Sequence, residues 1–100
     1  GKPVLAKAKL STVKNISGKK VTLKWKKVSG ASGYEIWRAA KKKGKYKKVK
    51  VITKGRTLKY TDRKLKKKKT YYYKVRAYRK VGGKKVYGVY SAVKRCRVRK

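Results

Sequence analysis

An all-β fold, a seven-stranded antiparallel sandwich, is predicted by three features of this 100-residue chain. Apolar and polar residues alternate with period two, the mark of half-buried strands. Turn signals recur about every 8–12 residues. Nine Tyr, two Trp, twelve Val and six Thr supply strand-forming side chains, which disordered chains lack. These features outweigh the pull toward disorder of 37 Lys and Arg against two carboxylates, a formal charge of +35. The expectation is one domain over residues 1–100, a folded β unit whose outside is almost entirely lysine.

The first strand is expected within Val4 to Val13. In the second, Val21, Leu23 and Trp25 face one way and Thr22, Lys24 and Lys26 the other. Ser29-Gly30-Ala31-Ser32-Gly33 is a turn, after which Tyr34 and Ile36 alternate with Glu35 and Trp37. Lys41-Lys42-Lys43-Gly44 is the next turn, and Tyr46 to Ile52 the fourth strand, closed by Lys54-Gly55. A short strand follows at Thr57 to Thr61. The sixth runs from Thr70 to Arg79 with Tyr71, Tyr73, Val75 and Ala77 on one face. Val81 to Lys85 is a Gly-Gly loop, and the last strand covers Val86 to Val98 with a break near Tyr90-Ser91. The inward set also takes Val49, Tyr60, Leu65, Cys96 and Val98. No helix is expected, because the lysine runs are flanked by β-branched and aromatic residues.

The segment VTLKWKKVSGASGYEIWRA at 21–39, then GKYKKV at 44–49, YTD at 60–62, Leu65 and TYYYKVRAY at 70–78, resembles a fibronectin type III domain. It is most similar to the lysine-rich bacterial style of that family, found in cell-surface and secreted proteins. The resemblance spans roughly residues 10–98 and implies an immunoglobulin-like sandwich. It implies that Trp25 is the core tryptophan, that Leu65 anchors the loop before the sixth strand, and that Tyr71 is the tyrosine corner, bonding back to that loop. The usual Pro-Gly-like turn there is replaced by Lys66-Lys67-Lys68-Lys69, a departure that bears on the rigidity of the turn. The chain has no Arg-Gly-Asp, so integrin binding of the animal kind is not implied.

Composition excludes most chemistry. There is no His, one Cys and two acids, Glu35 and Asp62, so neither a metal site nor an acid–base pair can be assembled in the ordinary way. No catalytic residue, metal or cofactor is expected, and no small-molecule substrate. Asp62 is read as an acceptor of backbone N–H groups in a turn. Glu35, on an outward position, is read as a cross-strand ion pair with Lys74 or Arg76. Cys96 shares parity with Val98 between Arg95, Arg97 and Arg99, and is read as a small core residue. Asn15-Ile16-Ser17 matches a glycosylation acceptor in a loop and is read as a turn. No apolar run approaches the ~18 residues of a membrane span. Gly1-Lys2-Pro3 reads as the start of an excised or processed domain, with no signal peptide.

What remains is charge. The third-to-fourth and fifth-to-sixth strand loops of such a sandwich emerge at one end with the first-to-second loop. That gathers Lys41, Lys42, Lys43 and Lys45 with Lys66, Lys67, Lys68 and Lys69, beside Lys19 and Lys20, into a cationic tip. Trp37, Tyr72 and Tyr78 fall outward on neighbouring strands, flanked by Lys74, Arg76 and Arg38. Two readings of that row stand: a platform for stacking bases or sugars, or cross-strand packing roofed by lysine stems. Lys makes up 29 of the 37 cations, and lysine is a point charge without the geometric selectivity of arginine. With one Asn and no Gln, base-edge readout is not expected. The expected activity is sequence-independent binding of polyanions: nucleic acid, teichoic acid, sulfated glycan or an anionic membrane surface. A monomer is expected, at a bacterial cell surface or outside the cell. The alternatives are a structural spacer or adhesin module of a bacterial extracellular protein, and an engineered supercharged carrier scaffold.

Overall fold

In the computed structural model, which describes residues 5–100, two antiparallel sheets pack face to face. The first contains β1 (Leu10–Ile16), β2 (Lys20–Trp25) and β5 (Lys59–Asp62), in the order β1-β2-β5. The second contains β3 (Gly33–Ala39), β4 (Lys47–Ile52), β6 (Thr70–Val81), β7 (Lys84–Tyr87) and β8 (Lys94–Arg97). Its order is β4-β3-β6-β7, and β8 also pairs with β6. Eight strands are present where seven were expected, and the reason is local. β7 and β8 pair with opposite ends of the long β6, Tyr78–Val81 and Thr70–Tyr73. Between them the chain breaks at the expected place. There Ser91 serves both backbone groups of Val75: its N–H donates to the Val75 carbonyl and its hydroxyl accepts from the Val75 N–H.

Alternation decides which face is buried. Val21, Leu23, Tyr34, Ile36, Tyr73, Val75, Ala77 and Val98 are fully enclosed, and Trp25, Leu65 and Tyr71 nearly so. Val49, Tyr60 and Cys96 pack against this core while half-buried. Trp25 meets Tyr34 at 5.5 Å between ring centres, within the range of favourable tilted pairs. The Tyr34 hydroxyl donates to the Gly55 carbonyl and accepts from the Val28 N–H. Each such large side chain contributes about 1.5–3 kcal/mol by burial.

The first strand begins later than expected, at Leu10, and runs to Ile16. Val4 and Gly1-Lys2-Pro3 lie outside the described residues. Leu5 and Ala8 still join the core without forming a strand. Asn15 thus ends a strand instead of sitting in a loop. Its side-chain nitrogen donates to the carbonyls of Ile16, Lys20 and Lys100. Its oxygen accepts from the N–H groups of Arg99 and Lys100. The side chain of this motif, read as part of a turn, therefore ties the C-terminal segment to β1. The expected Gly-Gly loop is a two-residue hairpin: Gly82 and Gly83 have φ of +58° and +80°, the left-handed pair that a tight hairpin turn requires.

Candidate functional site

The two acids are the starting point, because both are inside. Asp62 does not cap a turn. From the end of β5 it reaches the opposite sheet, where its Oδ2 accepts from Arg38 Nη1 at 2.7 Å and from the Tyr73 hydroxyl at 2.7 Å. Arg38 and Tyr73 are direct cross-strand partners, so one carboxylate fastens both members of a pair. Burial and the Asp62 charge push the Tyr73 hydroxyl far above its usual range. Arg38 therefore belongs to the inner face, not to the outward row.

Glu35 lies on the outward face of β3, opposite Arg76, yet is fully buried. Oε1 accepts from Arg76 Nε at 2.8 Å and from Trp37 Nε1 at 3.2 Å. Oε2 faces the ammonium groups of Lys48 at 3.5 Å and Lys85 at 4.0 Å. Burial pushes this carboxyl up, but the hydrogen bond and charge of Arg76, the Trp37 hydrogen bond and Lys48 outweigh it and hold it below the ordinary value. Rings and cations are layered over it. Arg76 lies 3.7 Å from the Tyr87 ring centre and 4.7 Å from that of Tyr90. Lys74 lies 4.4 Å from Tyr46 and 4.0 Å from Tyr90. These are cation–π distances. Lys74 and Arg76, expected to grip an external anion, are thus held by groups of the protein itself.

Trp37 is half-buried in the same layer, edge-on to Tyr90 at 6.0 Å. Tyr78 departs from the expected exposed row. Its parity is outward, but its cross-strand partner is Gly33, and the missing side chain leaves a slot in the sheet surface. The Tyr78 ring fills that slot, with its hydroxyl 3.3 Å from the Ile52 carbonyl and Lys85 over its face at 4.4 Å. Only 1% of it is exposed, so it is unavailable for stacking. A Cβ on Gly33 would stand 2.0 Å from the Ile52 oxygen and 2.6 Å from the Tyr78 hydroxyl, so glycine is required there. Among the described residues, Tyr72 is the outward aromatic of β6 with no cation against its ring.

The lysine-rich loops do converge. Ala39, at the end of β3, pairs with Tyr72, near the start of β6, which brings the loops holding Lys41–Lys45 and Lys66–Lys69 to one pole. The Leu65 N–H donates to the Lys19 carbonyl, and that of Lys68 to the Val98 carbonyl, so the β1–β2 turn and the C-terminal segment join the same pole. All eight loop lysines are exposed. The Tyr71 hydroxyl accepts from the Lys66 N–H at 2.9 Å, closing the tyrosine corner. Lys68, at φ +67°, takes the left-handed conformation that glycine holds more cheaply.

Sequence reading missed the contribution of β8. Arg95, Arg97 and Arg99 are exposed and line one shallow groove of about 360 Å³ with Thr70 and Tyr72. The alternation that placed Cys96 inward was the available signal. Burial pushes the Cys96 thiol up, away from reactive thiolate character. Among the described residues no group of three His, Cys, Asp or Glu could hold a metal ion.

The class defined by these features is an immunoglobulin-like β-sandwich module with a buried tryptophan, a tyrosine corner and a cationic exterior. No protein-family model matches the chain, and no curated protein matches its sequence. Solved structures do. The chain is similar to an Fn3-like protein from Clostridium thermocellum, with 29% identity and a TM-score of 0.75 over 98% of this chain and 95% of that one. It is similar to the sixth fibronectin type III domain of human fibronectin type III domain containing protein 3, with 19% identity and a TM-score of 0.76 over 99% and 90% of the two chains. It also matches the chicken CNTN1 FN1-FN3 domains, with 24% identity and a TM-score of 0.77, over 98% of this chain and 31% of that one. The fold is that of a fibronectin type III domain, and the solved structures it resembles are domains of that kind.

Proposed function

We propose that this domain is a non-enzymatic module that binds polyanions by sequence-independent electrostatics, as a monomer, in a bacterial extracellular or cell-surface protein. The observation that carries the reading is the burial of both carboxylates. Glu35 and Asp62 are spent on internal cations, so every charged side chain reaching solvent is a Lys or Arg. An anionic polymer meets a field with no acidic side chain to oppose it.

The backbone adds support. Among the described residues, the non-glycine positions with left-handed φ are Lys19, Lys64 and Lys68. Each costs about 1–2 kcal/mol relative to an ordinary conformation. All three lie in the turns that meet at the basic pole, where glycine would be less strained. Charge has been kept there against local backbone preference, as expected if the pole binds something.

The ligands fitting this chemistry are nucleic acid, teichoic acid, sulfated glycan and anionic membrane surfaces. The test is a salt titration with duplex DNA, heparin and anionic vesicles in parallel. Affinity should fall with salt at about −0.9 per phosphate contacted on duplex DNA, a loss of ~10³–10⁵ between 50 and 200 mM for six to ten contacts. Changing Lys41–Lys43 and Lys66–Lys69 to Ser should shrink that slope more than changing Lys7, Lys9, Lys24, Lys26, Lys47, Lys59 and Lys94. Absence of binding to all three probes at low salt would leave a spacer role instead.

A further inference from the structure

The groove along β8 differs in kind from the lysine pole. Arg95 and Arg97 are cross-strand partners of Tyr72 and Thr70, so two arginines stand beside the outward face of β6 and Arg99 continues the row. A second hollow, of about 240 Å³, shares Tyr72 and Arg95 and is bounded by Lys42 and Val93. The two form one channel running from the β3–β4 loop to the C-terminal segment. Successive arginines at i, i+2 and i+4 along an extended chain stand about 7 Å apart. Three of the chain's eight arginines are in this row, and arginine grips phosphate through two parallel hydrogen bonds where lysine offers one charge. Asn15 holds the backbone of Arg99, so the far end of the row is positioned in advance. Where the two hollows meet lies the Tyr72 ring, half-buried and, among the described residues, with no cation stacked over its face, unlike those of Tyr46, Tyr78, Tyr87 and Tyr90.

We infer that this channel binds a single-stranded nucleic acid, with Arg95, Arg97 and Arg99 on successive phosphates and a base stacked on Tyr72. A cationic track beside a free aromatic face is the arrangement by which proteins hold single strands without reading sequence. A sulfated glycan would use the arginines but not require the ring. The inference rests on the polyanion reading and assigns it a site and a ligand.

The experiment compares the wild-type domain, the triple variant Arg95→Lys, Arg97→Lys, Arg99→Lys, and Tyr72→Leu, all checked by thermal melts. The arginines are exposed and leucine keeps the apolar volume near the ring position, so both variants should fold. The probes are oligothymidylate, an abasic oligomer of equal length and a heparin oligosaccharide, at one salt concentration. The triple variant conserves net charge and should lose on the order of tenfold in affinity for oligothymidylate. Tyr72→Leu should lose about fivefold or more for oligothymidylate and nothing for the abasic oligomer. Wild-type affinity of the triple variant for oligothymidylate, or equal loss on both oligomers in Tyr72→Leu, would overturn the assignment while polyanion binding stood. A loss confined to heparin would do the same in favour of a sulfated glycan. A wild-type domain that bound none of the probes would remove both readings together.

Discussion

Glu35→Gln is the perturbation whose cost can be worked most directly from the geometry. Glutamine keeps the volume and the Oε1 acceptor for Arg76 and Trp37, and removes the charge. A hydrogen bond to a charged group contributes ~1.5–3 kcal/mol and a neutral one ~0.5–1.5, so the Arg76 contact alone loses about 1 kcal/mol. Arg76, Lys48 and Lys85 then lack their common counter-charge. Removing one partner of a buried pair costs ~3–5 kcal/mol. Because Lys48 is 43% exposed and Arg76 19%, water recovers part of that, and about 2–4 kcal/mol is expected in all. At about 4–8 °C per kcal/mol for a domain of this size, the melting midpoint should drop on the order of 10–30 °C. Melts in low and high salt measure it, and the gap should narrow as screening relieves the stranded cations. The same group sets an acid dependence. Its folded pKa lies below the ordinary value, so its contribution is complete above the unfolded pKa of about 4.3 and is lost as pH falls through the folded one. Glu35→Gln should lack this share of the acid destabilisation. A variant melting within about 2 °C of the wild type at low salt would show that the carboxylate does not organise the outer face.

Four further outcomes are expected. Raising salt from about 10 to 500 mM should raise the wild-type midpoint steadily, since the screening length falls from ~30 to ~4 Å over that range; a flat or falling midpoint contradicts the expectation. Tyr71→Phe should cost about 1–2 kcal/mol in denaturant unfolding by leaving the Lys66 N–H without its partner. Gly33→Ala should cost more than ~3 kcal/mol, because its Cβ meets the Ile52 oxygen at 2.0 Å and close overlap forces backbone shifts. Lys68→Gly should stabilise by up to about 1 kcal/mol by relieving the left-handed strain, while weakening binding at the basic pole.

The sandwich itself was legible in the chain. Alternation is a local property, and Val21, Leu23, Trp25, Tyr34, Ile36, Tyr71, Tyr73 and Val75 sit where period two places them because one face must leave water. The break at Tyr90-Ser91 and the convergence of the lysine loops followed from turn residues and sandwich topology. What parity could not decide was burial on the outward face, since that depends on what lies across the strand. Tyr78 is enclosed because its neighbour is Gly33. Glu35 is enclosed because Arg76, Trp37 and two lysines close over it. Asp62 found side chains of the opposite sheet instead of a turn, and Asn15 found the C-terminal segment more than eighty residues away. Such contacts join residues distant in sequence, so no local pattern announces them. Charge and strand rhythm were properties of the sequence; which cations are spent inside and which arginines share a groove were settled by tertiary packing, because only there do strands far apart in the chain become neighbours.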